Sequence, residues 1–385
     1  MANLFFVHTP MQLFMAQQII HQEGLKDNVM VYDYAGNNKH YIDAYKFIFI
    51  SEMWSKRVIN PVRLGWNMIK GDGLIKDISE IRNSLDVIEA FVSDNDVRMI
   101  YMGDVLNRGY RLLAHIFYKR NIGVAFFEEG YSHYTGRYES WKKIFKDVIY
   151  AFILDGFIYY PRYHERLEYK VSVTDNNLNK IPQNVRYSLI PFYHEPYDRL
   201  LKPTLLLSQV LQSYMEQELI KIKSAGGSGS LVLFVNEEIK NFVKDVDVVI
   251  EEQLLKECVF PAVDADTLFL IKFHPAENVE RRNQVKGMFD KNNIRYCILS
   301  EEINVPVEYY LQMLNFKRIF SYATAVTLYN GYLFPRTPTT RLLDDLMRIC
   351  KEKKLTHLDK IEKLINKLDF IQTSINNGIN NGINA

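Results

Sequence analysis

Cysteine is scarce in this chain: Cys258, Cys297 and Cys350 are the three it has, far apart in 385 residues. An odd and scattered set excludes a disulfide scaffold and fits a reducing compartment. No Cys-x-x-Cys pair and no His-Glu-x-x-His run occurs, so a structural zinc site is not expected. Neither sign of charge is in excess. Lys+Arg 47 against Asp+Glu 46 leaves +1, which argues against a dedicated nucleic-acid binder with its basic surplus. Long apolar runs are missing too: Val148–Leu154 stops at Asp155, far short of the ~20 residues of a membrane-spanning helix. Met1–His21 carries no formal charge and lacks the basic segment that opens a signal peptide. The expectation is a cytoplasmic protein. Trp141-Lys142-Lys143-Ile144-Phe145-Lys146 reads either as a solvated helix face or as a peripheral contact with the inner face of the cytoplasmic membrane.

What is present suits a globular enzyme or binding protein. Apolar residues make up 48% and charged ones 24%, enough for a core and without the signature of disorder. At roughly 150 residues per domain the length predicts two to three domains. Short apolar runs alternate with helical spacing. Asn3–His8 reads as a buried strand, Pro10 to about Glu23 as a helix, and Asn28–Tyr34 as a strand. Leu74–Val92 has helical periodicity, and Val97–Met102 and Gly123–Glu128 are further strands. That rhythm belongs to a parallel sheet covered on both faces.

The rhythm restarts after Ser224-Ala225-Gly226-Gly227-Ser228-Gly229-Ser230, which has the composition of a flexible linker and would fit an engineered loop replacement. Beyond it come strand Leu231–Asn236, helix Asp247–Cys258, strand Thr267–Phe273, a helical stretch to Asp290, strand Ile294–Leu299, helix Val307–Leu314 and strand Arg318–Ser321. A short helix from Ala323 follows. The expected organisation is an amino-terminal domain over 1–223, a linker over 224–230 and a second domain over 231–345. Terminal helices fill 346–385, with a frayed tail from Asn376. Two such halves imply a cleft, with ligands outside the carboxyl ends of the strands.

Those strand ends carry unusual residues. Gly123–Phe127 runs into Glu128-Glu129-Gly130, a pair of acids suited to general-base work over an apolar floor. Its plainer reading is an acidic helix start. Thr267–Phe273 ends in Lys272-Phe273-His274-Pro275; an imidazole there can hold a phosphate or protonate a leaving group, or can be an ordinary structural histidine. Ser321-Tyr322-Ala323-Thr324 offers hydroxyls to an anion, or simply caps a helix. Glu308 opens a helix, where it can accept from ribose hydroxyls or merely meet the dipole. Three Asp-x-Asp triplets, at Asp94, Asp245 and Asp264, are read as loop and helix-start acids, not metal ligands.

The order of these motifs resembles the bacterial sialyltransferases of the GT-B type, both the lipooligosaccharide sialyltransferases of glycosyltransferase family 52 and the capsular polysialyltransferases. The marks are Glu128-Glu129-Gly130, His274-Pro275 and Ser321 to Thr324, together with the opening Leu4-Phe5-Phe6-Val7-His8-Thr9-Pro10-Met11-Gln12-Leu13. The resemblance implies a GT-B-like α/β fold, with two Rossmann-like parallel-sheet domains facing a central cleft. It also implies inverting transfer of sialic acid from CMP-sialic acid to a saccharide hydroxyl, without a metal or other cofactor. Glu129 would be the base with Glu128 as its support. Glu237 or Glu238, after the first strand of the second half, is the rival position. His274, Pro275, Lys272, Ser321, Thr324 and Glu308 would hold the nucleotide. The third motif departs from paired serines, which leaves open whether Ser321 or Thr324 meets phosphate. The acceptor expected is galactose of a lipooligosaccharide or O-antigen in α-2,3 linkage, with a polysialic capsule chain next. The remaining alternatives are another nucleotide sugar, such as a UDP-hexose or CMP-Kdo, and a non-catalytic nucleotide- or glycan-binding protein. The expected partners are donor and acceptor, with a homodimer left open and no nucleic acid.

Overall fold

The computed structural model describes residues 1–33, 39–55, 58–62, 74–103, 108–128, 183–190, 198–227, 229–237, 243, 248–262, 264, 266–274, 277–328, 337–356 and 358–380. They divide into two compact units, one of Met1–Tyr45 and Phe49–Leu206, the other of Lys46–Ile48 and Leu207–Ala385.

Unit 1 begins with β1 (Ala2–Val7), helix α1 (Pro10–Glu23) and β2 (Asn28–Asp33). The start and stop of α1 are written in its ends. Thr9 caps it by accepting from Gln12 N, Pro10 supplies a preset φ, and Gly24 closes it at φ 60. Next come α2 (Lys39–Ile48), β3 (Val58–Val62), α3 (Leu74–Asp94), β4 (Val97–Met102), α4 (Arg108–Lys119) and β5 (Gly123–Phe127). Strands β6 (Val185–Ser188) and β7 (Asp198–Leu200) complete a parallel sheet in the order β3-β2-β1-β4-β5-β6-β7. Leu4 and Phe6 join Ile100, Met102, Val124 and Phe126 in the core on one face. On the other face Phe5 stacks on Tyr101 with ring centroids 4.2 Å apart. Both faces are covered, which is why β1 is apolar without alternation.

Unit 2 opens with α5 (Gln209–Ser224) and β8 (Leu231–Val235). Then come α6 (Val248–Leu254), β9 (Leu268–Lys272), α7 (Val279–Lys291), β10 (Tyr296–Ile298), α8 (Val307–Met313) and β11 (Arg318–Ser321). The unit closes with β12 (Thr339–Arg341), α9 (Leu343–Glu352) and α10 (Asp359–Asn380). Its sheet is again parallel, in the order β10-β9-β8-β11-β12. The α/β class with two Rossmann-like parallel sheets is therefore what the chain forms. Among the described residues no helix is long and apolar enough to cross a membrane.

Three expectations differ from this structure. The Gly/Ser stretch is a helix cap inside unit 2, not a linker between domains. Gly226 N donates to Lys223 O and Gly227 N to Ile222 O, and a side chain on Gly229 would lie 2.4 Å from Asp266 O. The division falls at 206/207 instead of 223/224, because α5 belongs to unit 2. Its buried Glu218 accepts from Ser300 N at 2.9 Å and Tyr310 Oη at 3.2 Å. The tail from Asn376 continues α10 to Asn380, since Ile371 and Ile375 keep an apolar face buried beyond the expected end at Leu368.

Candidate active site

Sheet register brings the carboxyl end of unit 2 to a common level. Val235 pairs with Lys272 on one side and with Ser321 on the other. With neighbouring strands ~4.8 Å apart, the residues just past β8, β9 and β11 form one edge. This is also the place where the strand order reverses, between β8 and β11.

Side chains tie these strand ends to one another. Asn236 N donates to Lys272 O at 2.9 Å, and Asn236 Nδ2 donates to Glu277 Oε2 at 2.7 Å. The second oxygen of Glu277 accepts from His274 N at 3.0 Å, closing the turn that carries the imidazole. Glu237 Oε2 accepts from Ala323 N at 3.1 Å, so the end of β8 also holds the turn after β11. Beneath lies a buried ion pair of Arg281 with Glu251, and Tyr322 Oη donates to the same carboxylate oxygen at 3.4 Å.

Burial sets the charge states. The Lys272 ammonium donates to Asn304 Oδ1 at 2.9 Å. Burial above all, then the Arg282 cation, pushes its pKa down to about 8, while Glu308 pulls the other way. Glu308 is pushed up to about 7 by burial, against its own backbone N–H and Lys272. Glu237 is also pushed up to about 7 by burial, with the Ala323 N–H opposing and Glu277 adding to the rise. Burial likewise raises Glu277. His274 keeps one side open to solvent, yet the packing around the ring and then the Lys272 charge lower its pKa. At neutral pH its imidazole is therefore neutral, a hydrogen-bonding group that a bound phosphate would help to protonate. Ser321 Oγ, Thr324 Oγ1 and Asn236 Oδ1 are buried and have no hydrogen-bond partner among the described residues. Leaving such atoms unsatisfied costs about 1–3 kcal/mol each, so each calls for a partner, a water or a ligand atom. The ensemble can hold an oxyanion and supply a proton to it.

Lys272, His274, Glu308, Ser321 and Thr324 thus lie at or beside one strand edge or the helix that follows it; Pro275 and Glu238 fall outside the described residues. In unit 1, Glu128 follows β5, is fully buried, and accepts from Leu189 N at 2.7 Å. That bond ties β5 to the turn after β6, a structural task. Glu129, Gly130 and the stretch Trp141–Lys146 lie outside the described residues. Of the Asp-x-Asp triplets, Asp94 and Asp96 are exposed, Asp264 pairs with Lys317 at the surface, and Asp245 and Asp247 are not among the described residues. No group of three or more potential metal-ligating side chains occurs among the described residues. Sequence reasoning missed Asn236, Glu277 and Asn304. For Glu277 a signal existed: an acid three residues beyond a turn residue can reach back to its N–H.

Two parallel α/β sheets, one of them with polar side chains gathered where its strand order reverses, have the build of folds that bind ligands outside the carboxyl ends of their strands. Residues 3–342 match the model of the alpha-2,8-polysialyltransferase family, and the chain belongs to that family. No curated protein matches it in sequence. Among solved structures it is similar to UDP-GlcNAc 2-epimerase from Neisseria meningitidis bound to UDP-GlcNAc, at 12% identity and TM-score 0.48 over 97% of this chain and 94% of that one. A UDP-glucosyltransferase from Polygonum tinctorium gives 9% identity and TM-score 0.49 over 97% and 94%. The UDP-GlcNAc 2-epimerase of Methanocaldococcus jannaschii gives 14% and 0.46 over 97% and 93%.

Proposed function

We propose that this glycosyltransferase moves sialic acid from CMP-sialic acid to a saccharide hydroxyl with inversion and without a metal. The family match over residues 3–342 carries the reading, and the edge chemistry supports it. In the transfer the acceptor oxygen forms a bond to the anomeric carbon as the bond to the CMP phosphate oxygen breaks. A carboxylate takes the acceptor's proton, and the phosphate takes up the bonding pair. Glu129 is the proposed base, Glu237 and Glu238 its rivals. Lys272 offsets the charge of the departing phosphate, Ser321 and Thr324 donate hydrogen bonds to it, and His274 donates a hydrogen bond or proton. Glu308 meets the ribose. The family's alpha-2,8-polysialyltransferase activity favours a sialic acid-terminated acceptor over the galactose first expected.

The test is CMP release and product linkage with CMP-sialic acid, sialosides and galactosides, in buffer with EDTA. We expect transfer to sialosides that EDTA leaves intact, and His274→Ala slows turnover by about 10²-fold or more on a folded background. Unchanged turnover in that variant would remove His274 from the mechanism. A product formed only on galactosides would restore the α-2,3 alternative.

A further inference from the structure

Unit 1 has its own point of strand-order reversal, between β1 and β4, and the residues there have no part in the nucleotide chemistry above. Phe6 pairs with Met102, and Met102 with Phe126, so β1, β4 and β5 end level with one another. Just past them stand His8, Gly103 and Glu128, the first of the acid pair.

Gln12 sits in the first turn of α1, three residues after the cap. A glutamine there usually reaches back to the backbone N–H of the cap residue. Here it reaches one residue further: Gln12 Oε1 accepts from His8 N at 2.8 Å, while Gln12 N donates to Thr9 Oγ1 at 3.2 Å. Because a backbone N–H can bond only the oxygen of the amide, the orientation of the group is settled chemically. Its nitrogen must face the other way. Gln12 is fully buried, and Nε2 has no hydrogen-bond partner among the described residues. The amide lies across the end of β4, so close that a Cβ on Gly103 would stand 2.4 Å from Cδ and 2.7 Å from Nε2. A glycine at this position is what lets the amide lie there. A buried donor without an acceptor can take a ligand oxygen, and its place at the positive end of a 14-residue helix and at a reversal of strand order favours an anionic one.

We infer that Gln12 Nε2, over Gly103 at the carboxyl edge of β1 and β4, binds a carboxylate oxygen of a sialic acid-terminated acceptor. Unit 2 supplies the cation and hydroxyls for the donor's phosphate, which leaves the edge of unit 1, with Glu128 one strand away, for the second substrate. The inference rests on the proposed transfer for its choice of ligand. Its test does not depend on turnover.

The full chain is titrated calorimetrically, without donor, with an α-2,8-linked sialic acid trimer and with lactose as the neutral control. Gln12→Glu keeps an oxygen for His8 N but replaces the donor by a second oxygen. We expect it to weaken trimer binding about tenfold or more, since an acceptor now faces an acceptor. Gly103→Ala, which pushes the amide off the strand end, does the same by another route, while CMP affinity moves less than twofold in both. Equal trimer affinity in the native chain and both variants overturns the inference and leaves Gln12 Nε2 to a bound water only. Absence of trimer binding by the native chain, or binding of lactose with the same dependence on Gln12, overturns it too. A chain that binds the trimer through Gln12 but releases no CMP from CMP-sialic acid sinks the transferase reading and leaves this subsite standing.

Discussion

The two sheets share the order of their first five strands and part company at their carboxyl edges. In unit 2 the reversal point is flanked by Lys272, His274, Glu237, Glu277 and Glu308, all with proton affinities moved by burial. In unit 1 the corresponding place carries the neutral amide of Gln12 laid over Gly103. The difference extends to what supports each sheet. Beneath the edge of unit 2 lies the Arg281–Glu251 ion pair with Tyr322. In unit 1, glutamines of α1 hold the chain that follows β7: Gln18 Nε2 donates to Thr204 O and Gln18 Oε1 accepts from Thr204 N, both at 2.8 Å. An ion pair thus lies under the edge of unit 2, while neutral amides hold α1 of unit 1 to the chain after β7.

Breaking one brace in each unit is the strongest challenge to that contrast. Glu251→Ala leaves the Arg281 guanidinium buried without its counter-charge and is expected to cost about 3–5 kcal/mol. Gln18→Ala removes only neutral hydrogen bonds and is expected to cost about 1–3 kcal/mol. Amide hydrogen exchange read separately in β8–β11 and in β1–β4 assigns each loss to its unit. Replacing both Glu251 and Arg281 by methionine should recover most of the loss. Equal costs for the two single variants would show that the ionic brace does no more than the neutral one.

Legibility in the sequence followed the same divide between local pattern and cross-strand contact. Helix α1 was readable almost to the residue, because Thr9, Pro10 and Gly24 write its boundaries locally. Strands β1, β4, β5, β8, β9 and β11 were readable as near-continuous apolar runs. The strands that went unread lack such runs. β3 contains Asn60-Pro61, β6 carries a fully buried Arg186, β7 is three residues long, and β12 is the half-exposed Thr339-Thr340-Arg341 edge. The placing of Lys272, His274 and Ser321 at strand ends was legible for the same local reason. The bonds of Asn236 and Glu277 were not, since 41 residues separate the partners and only sheet register joins them.

Acid and alkali sharpen the contrast next. Glu308 and Glu237 have folded pKa values raised to about 7 from 4.5, so between those values the folded protein holds more protons than the unfolded chain. Stability of unit 2 therefore falls as pH rises through that interval. Lys272 is lowered from 10.5 to about 8, so the unfolded chain holds the extra proton there and stability rises with pH between 8 and 10.5. Urea unfolding followed by exchange in β8–β11 should trace both limbs. Glu308→Gln should flatten the acid limb in part, with Glu237 and Glu277 accounting for the remainder. A limb of undiminished slope in the Glu308→Gln protein would remove that carboxyl from the charge balance of the edge.

The smallest effect separates a slack connection from an ordered cap. Gly24 ends α1 at φ 60 with nothing within 4 Å of an added Cβ, so Gly24→Ala pays only for the left-handed backbone, about 1 kcal/mol. Gly226 follows α5 at φ 97, where an added Cβ would also meet the guanidinium end of Arg295 at 2.9 Å. That end can swing aside, so the cost of Gly226→Ala is again mostly backbone strain, about 1–3 kcal/mol at so sparsely populated an angle. If residues 224–230 were merely a tether, alanine at 226 would cost nothing, or would even stabilise by reducing the freedom of the unfolded chain. Urea midpoints for the two variants decide the matter, and a Gly226→Ala midpoint at or above the native one would return the segment to the status of a linker.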